Sequence, residues 1–204
     1  MHKSLLVTAC VVVMAATALA QQPRQIDAAL VDGVIAATFK KAPAEWQKRI
    51  APDEAQRLCS TPVVNLTPET EKRLTDAAKA AVVYPPDGNV VGDWKKGQQL
   101  AQRGTGGQFT DTPGSPIGGN CYACHQMSPG ELSYGTLGPS LLRYGRDRKF
   151  KPEEAKATYV KIWNAQIVQP CSNMPRFGHN GFLSVEQIRD LTAYLFDPDS
   201  PVNR

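Results

Sequence analysis

Apolar residues recur three or four positions apart through most of the chain, which is the spacing of one face of a helix. No segment alternates apolar and polar residues in the way a half-buried strand does. The strongest helical pattern covers 184–196, where Ser184 and Gln187 form a capping box and Asp197-Pro198 ends the run. Its apolar face consists of Val185, Ile188, Leu191 and Leu195. The pattern predicts an all-α protein.

The same spacing predicts five further helices. The clearest covers 67–83, because Thr67 can cap it and Pro68 suits the first helical position. A helix over 92–103 begins at the capping residue Asp93. The others are expected over 26–39, over 44–58 with a break near Pro52, and over 151–166.

The first twenty residues have the pattern of a signal peptide. Lys3 supplies a positive start, residues 5–18 are apolar but too short to span a bilayer, and Ala18-Leu19-Ala20 has the small-x-small form of a cleavage site. We therefore divide the 204 residues into a signal peptide (1–20), an Ala-rich helical extension (21–90) and a main domain (91–204). The mature chain is expected in the periplasm, without a membrane span.

Charge and cysteine content narrow the function further. The net charge of +4 falls by one when Lys3 is removed, which is too mild to indicate nucleic-acid binding. The signal peptide also carries one of the five cysteines, Cys10, so four remain in an oxidising compartment.

The sequence Cys121-Tyr122-Ala123-Cys124-His125 is the main candidate for chemistry. Two thiols three positions apart, followed at once by a histidine, match the attachment site of a c-type haem, with His125 as an iron ligand. A dithiol redox site would call for a βαβ context, and a zinc site would call for a second ligand cluster. Neither is evident, so the motif predicts haem c.

The second face of the iron is either open or filled from elsewhere in the chain. Met127 is too close to His125 to reach it, whereas Met174 stands in a loop bounded by Pro175 and Gly178. We predict Met174 as the second axial ligand, with His179 as the alternative. A carbonyl at Gly138-Pro139 could accept the other ring N–H of His125, although an ordinary turn explains that dipeptide equally well.

Cys59 and Cys171 remain once the haem takes the other two cysteines. They are predicted to form a disulfide; the alternatives are buried free thiols, an intermolecular link or a reactive thiol. The densest basic run contains Arg143, Arg146, Arg148, Lys149 and Lys151. It is interpreted as a solvated loop, with a docking face for an acidic redox partner as the alternative.

Several runs occur in the order found in class I cytochromes c: 92–97, 121–125, 135–141, 173–178 and 183–196. In their residues as well as their order, these runs closely resemble the SoxX family. SoxX proteins are the monohaem subunits of the SoxAX cytochrome complexes of periplasmic thiosulfate oxidation. The most specific part is Asn173-Met174-Pro175-Arg176-Phe177-Gly178. The resemblance implies a class I cytochrome c fold over 91–204, preceded by the helical extension.

The resemblance also implies different roles for the subunits of the complex. The partner SoxA carries the catalytic haem, and the complex couples thiosulfate to a cysteine of the carrier SoxYZ, as an L-cysteine S-thiosulfotransferase. The SoxX subunit accepts electrons and passes them to a small soluble cytochrome c. By motif match, Cys121 and Cys124 attach one covalently bound haem c, and His125 and Met174 ligate its iron. No catalytic residue is expected in this chain.

Two other functions are compatible with the residues. A freestanding periplasmic electron carrier would need neither the long extension nor the extra cysteines. A haem sensor or catalyst would have a labile sixth ligand in place of a firmly bound Met174.

Overall fold

A computed structural model describes residues 26–61, 64–108, 110–112 and 114–204 of the chain. Within these ranges the protein is all-α, with no strand, as the hydrophobic pattern predicts. The predicted signal peptide lies outside the described residues. The helices are α1 (Ala28–Thr38), α2 (Ala44–Ile50), α3 (Glu54–Cys59), α4 (Pro68–Ala80), α5 (Trp94–Gln102), α6 (Tyr144–Asp147), α7 (Pro152–Trp163) and α8 (Val185–Phe196). Short 3₁₀ turns occupy Cys121–Ala123, Ala165–Ile167 and Pro201–Asn203.

Helices α1 to α4 form the extension, and α1, α3 and α4 begin at capping side chains. Asp27 caps α1, and Thr67 caps α4 with Pro68 in the first position. The break expected near Pro52 separates α2 from α3, and Asp53 starts α3 through a reciprocal capping box with Gln56. Helix α4 ends at Ala80, three residues before the predicted end, because the chain then turns to run along the main domain.

Helices α5 and α8 cross at very short range and form the centre of the main domain. A Cβ atom on Gly97 of α5 would stand 2.0 Å from the carbonyl oxygen of Asp190 in α8. The backbone N–H of Asp93 donates to the Asp190 carboxylate, 2.8 Å away. The two helices can approach this closely because position 97 has no side chain.

The core lies between α5, α7 and α8. The apolar face predicted for 184–196 is inside, where Ile188 and Leu191 meet Tyr159 and Trp163 of α7. The chain leaving α4 is tied to the same core, because the Tyr159 hydroxyl donates to the carbonyl of Val83 over 2.7 Å. This hydrogen bond joins the end of the extension to the core of the main domain.

Helix α7 is shorter than predicted. It ends at Trp163, and Asn164 adopts an extended backbone with its side chain accepting from the N–H of Gln166. The expected continuation to Gln166 is therefore wrong, since a new 3₁₀ turn starts at Ala165. This turn begins the path that leads to Met174.

The basic run predicted as a loop contains the short helix α6. Its first N–H groups are capped from the far end of the chain: Asn203 accepts from the amides of Gly145 and Arg146. The Asn203 amide group also donates to the carbonyls of Leu195 and Asp197 at the end of α8. One side chain thus satisfies the ends of two helices, a long-range contact that local sequence does not show.

No helix in the described ranges has the length and apolar content needed to cross a membrane.

Candidate haem site

The Cys-x-x-Cys-His motif is held in a tight turn. Asn120 takes a left-handed backbone, and the N–H groups of Cys124 and His125 both donate to the carbonyl of Cys121. The turn therefore places both cysteines and His125 on one compact piece of chain. In the structure Cys121 and Cys124 are free cysteines. Burial raises the pKa of the Cys121 thiol to about 12.

A second segment runs alongside the motif in the same direction. Backbone N–H groups of Gly135, Gly138 and Leu141 donate to the carbonyls of residues 122, 124 and 126, over 2.7 to 2.8 Å. A Cβ on Gly135 would overlap the carbonyl oxygen of Ala123, so a glycine is required for this close approach. Residues 135–141 therefore form a wall beside His125.

The wall determines the tautomer of the neutral His125 ring. The Pro139 carbonyl oxygen lies 2.7 Å from Nδ1 of His125. A carbonyl only accepts hydrogen bonds, so Nδ1 carries the proton in the neutral ring and Nε2 keeps a free lone pair. An imidazole oriented in this way is ready to ligate a metal through Nε2.

Met174 is half-buried and packs against the hydrophobic core. Cys121 borders the same core, so the segment carrying Met174 and the haem motif share one apolar surface. Met127, which the sequence excluded as a ligand, is 2 % exposed and serves as core packing. The alternative ligand His179 has its Nε2 3.6 Å from the Asp53 carboxylate.

These residues fit a covalently bound haem. Two free thiols stand on one turn, and the neighbouring imidazole has its metal-binding nitrogen available. In addition, the indole N–H of Trp163 is buried and finds no acceptor among the described residues, although its ring packs directly on Gly178 in the chain beyond Met174. A haem carries carboxylate groups that could satisfy such a donor. Within the described ranges no cluster of three or more His, Cys, Asp or Glu residues could hold a bare metal ion.

The remaining cysteines are joined. Cys59 at the end of α3 and Cys171 form a disulfide with Cα atoms 5.2 Å apart. Close by, Nη1 of Arg176 donates to the Asp53 carboxylate over 2.7 Å. Partial burial acts to raise the Asp53 pKa, but hydrogen bonds from the Gln56 amide and Arg176 outweigh it and hold that pKa below its ordinary value.

The pairing of Asp53 with Arg176 was not anticipated from the sequence. The pattern Asp53-x-x-Gln56 is a capping-box signal and could have located the start of α3. The contact between Asp53 and Arg176 spans 123 positions, so no local signal indicated it.

A cleft of about 1030 Å³ opens beside this contact. Its walls come from residues between 44 and 56, from 104–106, from 118–120 and from 175–182, and its ionisable side chains are Arg49, Asp53, Arg176 and His179. Neither His125 nor Met174 lines it. Asn120, next to Cys121, and Pro175, next to Met174, do line it, so the cleft adjoins the two segments predicted to hold the haem.

The basic run does not form a uniformly charged face. Arg143, Arg148 and Lys151 lie 3.7 to 3.9 Å from carboxylates of neighbouring acidic residues. Arg148 also stacks over the ring of Tyr144. Such local pairing reduces the field that would steer an acidic partner.

Comparison with known proteins supports the haem site. The family model described as "Cytochrome c" matches residues 94–197. An "Uncharacterized lipoprotein" from Aquifex aeolicus (strain VF5) is 42 % identical over 170 residues, which cover 81 % of this chain and 77 % of the relative. The chain therefore belongs to the cytochrome c family, whose covalently bound haem transfers electrons.

Proposed function

We propose that this cytochrome is the monohaem, electron-accepting subunit of a SoxAX-type complex. The complex would join thiosulfate to a cysteine thiol of the SoxYZ carrier. In that reaction the thiol and the thiosulfate sulfur form an S–S bond, one proton leaves, and two electrons pass to the haems. The catalytic haem belongs to the partner SoxA, and this chain passes electrons one at a time to a small soluble cytochrome c.

The observation that carries the proposal is the His125 site combined with the segment around Met174. Pro139 holds the His125 ring with Nε2 free. Met174 packs against the core that Cys121 also borders, where its thioether would be the second ligand of the iron. A haem with two protein ligands has no vacant position for substrate and favours electron transfer. The thioether also raises the reduction potential, which suits an electron acceptor.

Two further features support a role outside the cytoplasm. The Cys59–Cys171 disulfide is of a kind that persists in oxidising compartments. The Aquifex aeolicus relative is named a lipoprotein, which is a class of exported, membrane-anchored proteins. Both agree with the signal peptide predicted from 1–20.

Co-purification from native cells tests the proposal. We expect this chain to migrate with a second haem-containing subunit, and haem counting of each separated band should give one haem for this chain. The isolated complex should couple thiosulfate to a carrier cysteine while reducing a small cytochrome c.

Migration of the chain alone, with no thiosulfate-dependent activity, would instead show a freestanding carrier. Rapid carbon monoxide binding to the reduced protein would show a labile sixth ligand and a sensing or catalytic haem. Either result contradicts the proposed function.

A further inference from the structure

Two side chains at the ends of the short helix α3, its capping residue Asp53 and its last residue Cys59, contact the segment that carries Met174, one on each side of that residue. Cys59 is bonded to Cys171, three positions before Met174. Asp53 accepts from Arg176, two positions after Met174, over 2.7 Å. We call these two contacts, Cys59–Cys171 and Asp53–Arg176, the α3 clamp.

The ionic half of the clamp is built around a buried cation. The Arg176 side chain is 7 % exposed, and within the described part of the chain its ion pair is with Asp53. Asp53 is itself held in place, because its carboxylate accepts from the Gln56 amide as the cap of α3. Loss of Asp53 would leave the buried guanidinium without its ion pair, so this contact favours the position of Arg176 beside Asp53.

The covalent half acts on a strained backbone. Cys171 has φ of 59°, a left-handed conformation that a residue other than glycine adopts only when its surroundings enforce it. Beyond it, the Met174 amide donates a long hydrogen bond of 3.3 Å to the Ser172 hydroxyl. The path from Cys171 to Met174 therefore depends on anchoring from outside the segment.

We propose that the α3 clamp positions Met174 as the sixth iron ligand. Asp53 acts through Arg176, and the Cys59–Cys171 bridge acts through the backbone. Together they determine how readily the Met174 segment moves away and lets an external ligand reach the iron. This inference rests on Met174 as axial ligand, as assigned under the proposed function.

The Met174 segment would exist in equilibrium between a closed form, with Met174 on the iron, and an open form, with Met174 away from it. An external ligand adds only to the open form, so its apparent affinity scales with the fraction of open molecules. The clamp contacts stabilise the closed form and are lost or strained on opening. Breaking either contact therefore raises the open fraction and tightens binding of the external ligand.

Imidazole titration of the ferric holoprotein measures this equilibrium. Binding is monitored as loss of the Met-to-iron charge-transfer band. We expect Asp53→Asn to tighten imidazole binding about tenfold and to lower the reduction potential. The double variant Cys59→Ser/Cys171→Ser should act in the same direction. Asp53→Glu retains the charge and should recover most of the parental affinity.

Glu54→Gln is the matched control. Glu54 is the neighbouring acid and pairs with Arg73 over 2.7 Å, but both side chains are more than half exposed and neither belongs to the Met174 segment. Its imidazole affinity should stay within about twofold of the parent, as expected for an exposed pair.

Three results would overturn the inference. Unchanged affinity and potential in Asp53→Asn and in the double cysteine variant would show that the clamp has no influence on Met174. Equal tightening in Glu54→Gln would show a general loosening in place of positioning. Absence of the charge-transfer band in the parent would remove Met174 as ligand, and the clamp role with it. Failure to find a Sox partner would refute the complex alone, because these measurements use the isolated cytochrome.

Discussion

His125 depends on a neighbour that contributes only backbone. The bond from Nδ1 to the Pro139 carbonyl requires the wall segment to approach the face of the ring, and Gly138 makes that approach possible. A Cβ at position 138 would stand 2.3 Å from Cε1 and 2.6 Å from Nδ1 of His125. The orientation of the iron ligand is therefore decided by the absence of a side chain.

We expect Gly138→Ala to push the His125 ring away from the carbonyl. The predicted cost is about 2 kcal/mol of unfolding free energy, together with a change in reduction potential, because the added methyl group overpacks the ring. Denaturant unfolding and redox titration of the holoprotein provide the measurements. Gly130→Ala is the control, since nothing lies within 4 Å of its added Cβ. Equal stability of the two variants would contradict this account.

At the scale of elements, the crossing of α5 and α8 shows packing overriding helix propensity. Alanine is a better helix former than glycine by roughly 1 kcal/mol, so propensity alone favours alanine at Gly97. The helix crossing disfavours alanine at this position, because the added Cβ would overlap the Asp190 backbone and approach Tyr194 Cβ to 2.9 Å. The separation of the two helices is thus fixed at one position.

Gly97→Ala should lower the unfolding free energy by about 3 kcal/mol, the clash outweighing the gain in propensity. The same change at Gly33 in α1 meets nothing within 4 Å and should leave stability equal or slightly higher. Thermal and denaturant unfolding of the two variants gives a direct comparison. If both variants gained stability, the close approach of α5 and α8 would be wrong.

The elements themselves could largely be predicted from the sequence, because caps and apolar spacing are local. Ser184 and Gln187 located α8, and Thr67-Pro68 located the start of α4. The ends of α4 and α7 were less predictable, since each stops where the chain turns towards a distant contact. The structural roles of Asn203 and Arg176 could not be predicted, because each has a partner 57 or more positions away in the sequence.

For the whole molecule, the Cys59–Cys171 bridge closes a loop of 112 positions between the extension and the main domain. Constraining so long a loop in the unfolded chain stabilises the folded protein by about 4 to 5 kcal/mol. We expect Cys59→Ser/Cys171→Ser to lose that amount in denaturant unfolding of the holoprotein. A loss below about 1 kcal/mol would mean that the bridge does not constrain the unfolded chain as supposed.

Stability should also depend on pH through Asp53. Its folded pKa is held below the unfolded value of about 3.9, so its contribution is present above that pH and is lost as the pH falls through the folded pKa. The unfolding free energy of the parent should therefore exceed that of Asp53→Asn by about 1 kcal/mol at pH 7. The difference is modest because the Asp53 side chain is 41 % exposed and its charge is screened by solvent.

Unfolding at pH 7 and at pH 3 checks the sign of this effect. The difference between the parent and Asp53→Asn should shrink at the lower pH, because a protonated aspartate resembles asparagine. A difference that widened on acidification would show that Asp53 is not stabilised as a carboxylate.

The buried Cys121 thiol has a consequence for the order of assembly in the cell. The four cysteines outside the predicted signal peptide allow three connectivities, and only one of these contains the bridge seen in the structure. A thiol with a pKa near 12 is a weak nucleophile once the chain has folded. Haem attachment to Cys121 and Cys124 before the bridge forms would consume two thiols and leave Cys59 and Cys171 as each other's remaining partners. Assembly in this order would exclude mispairing among these four cysteines within one chain.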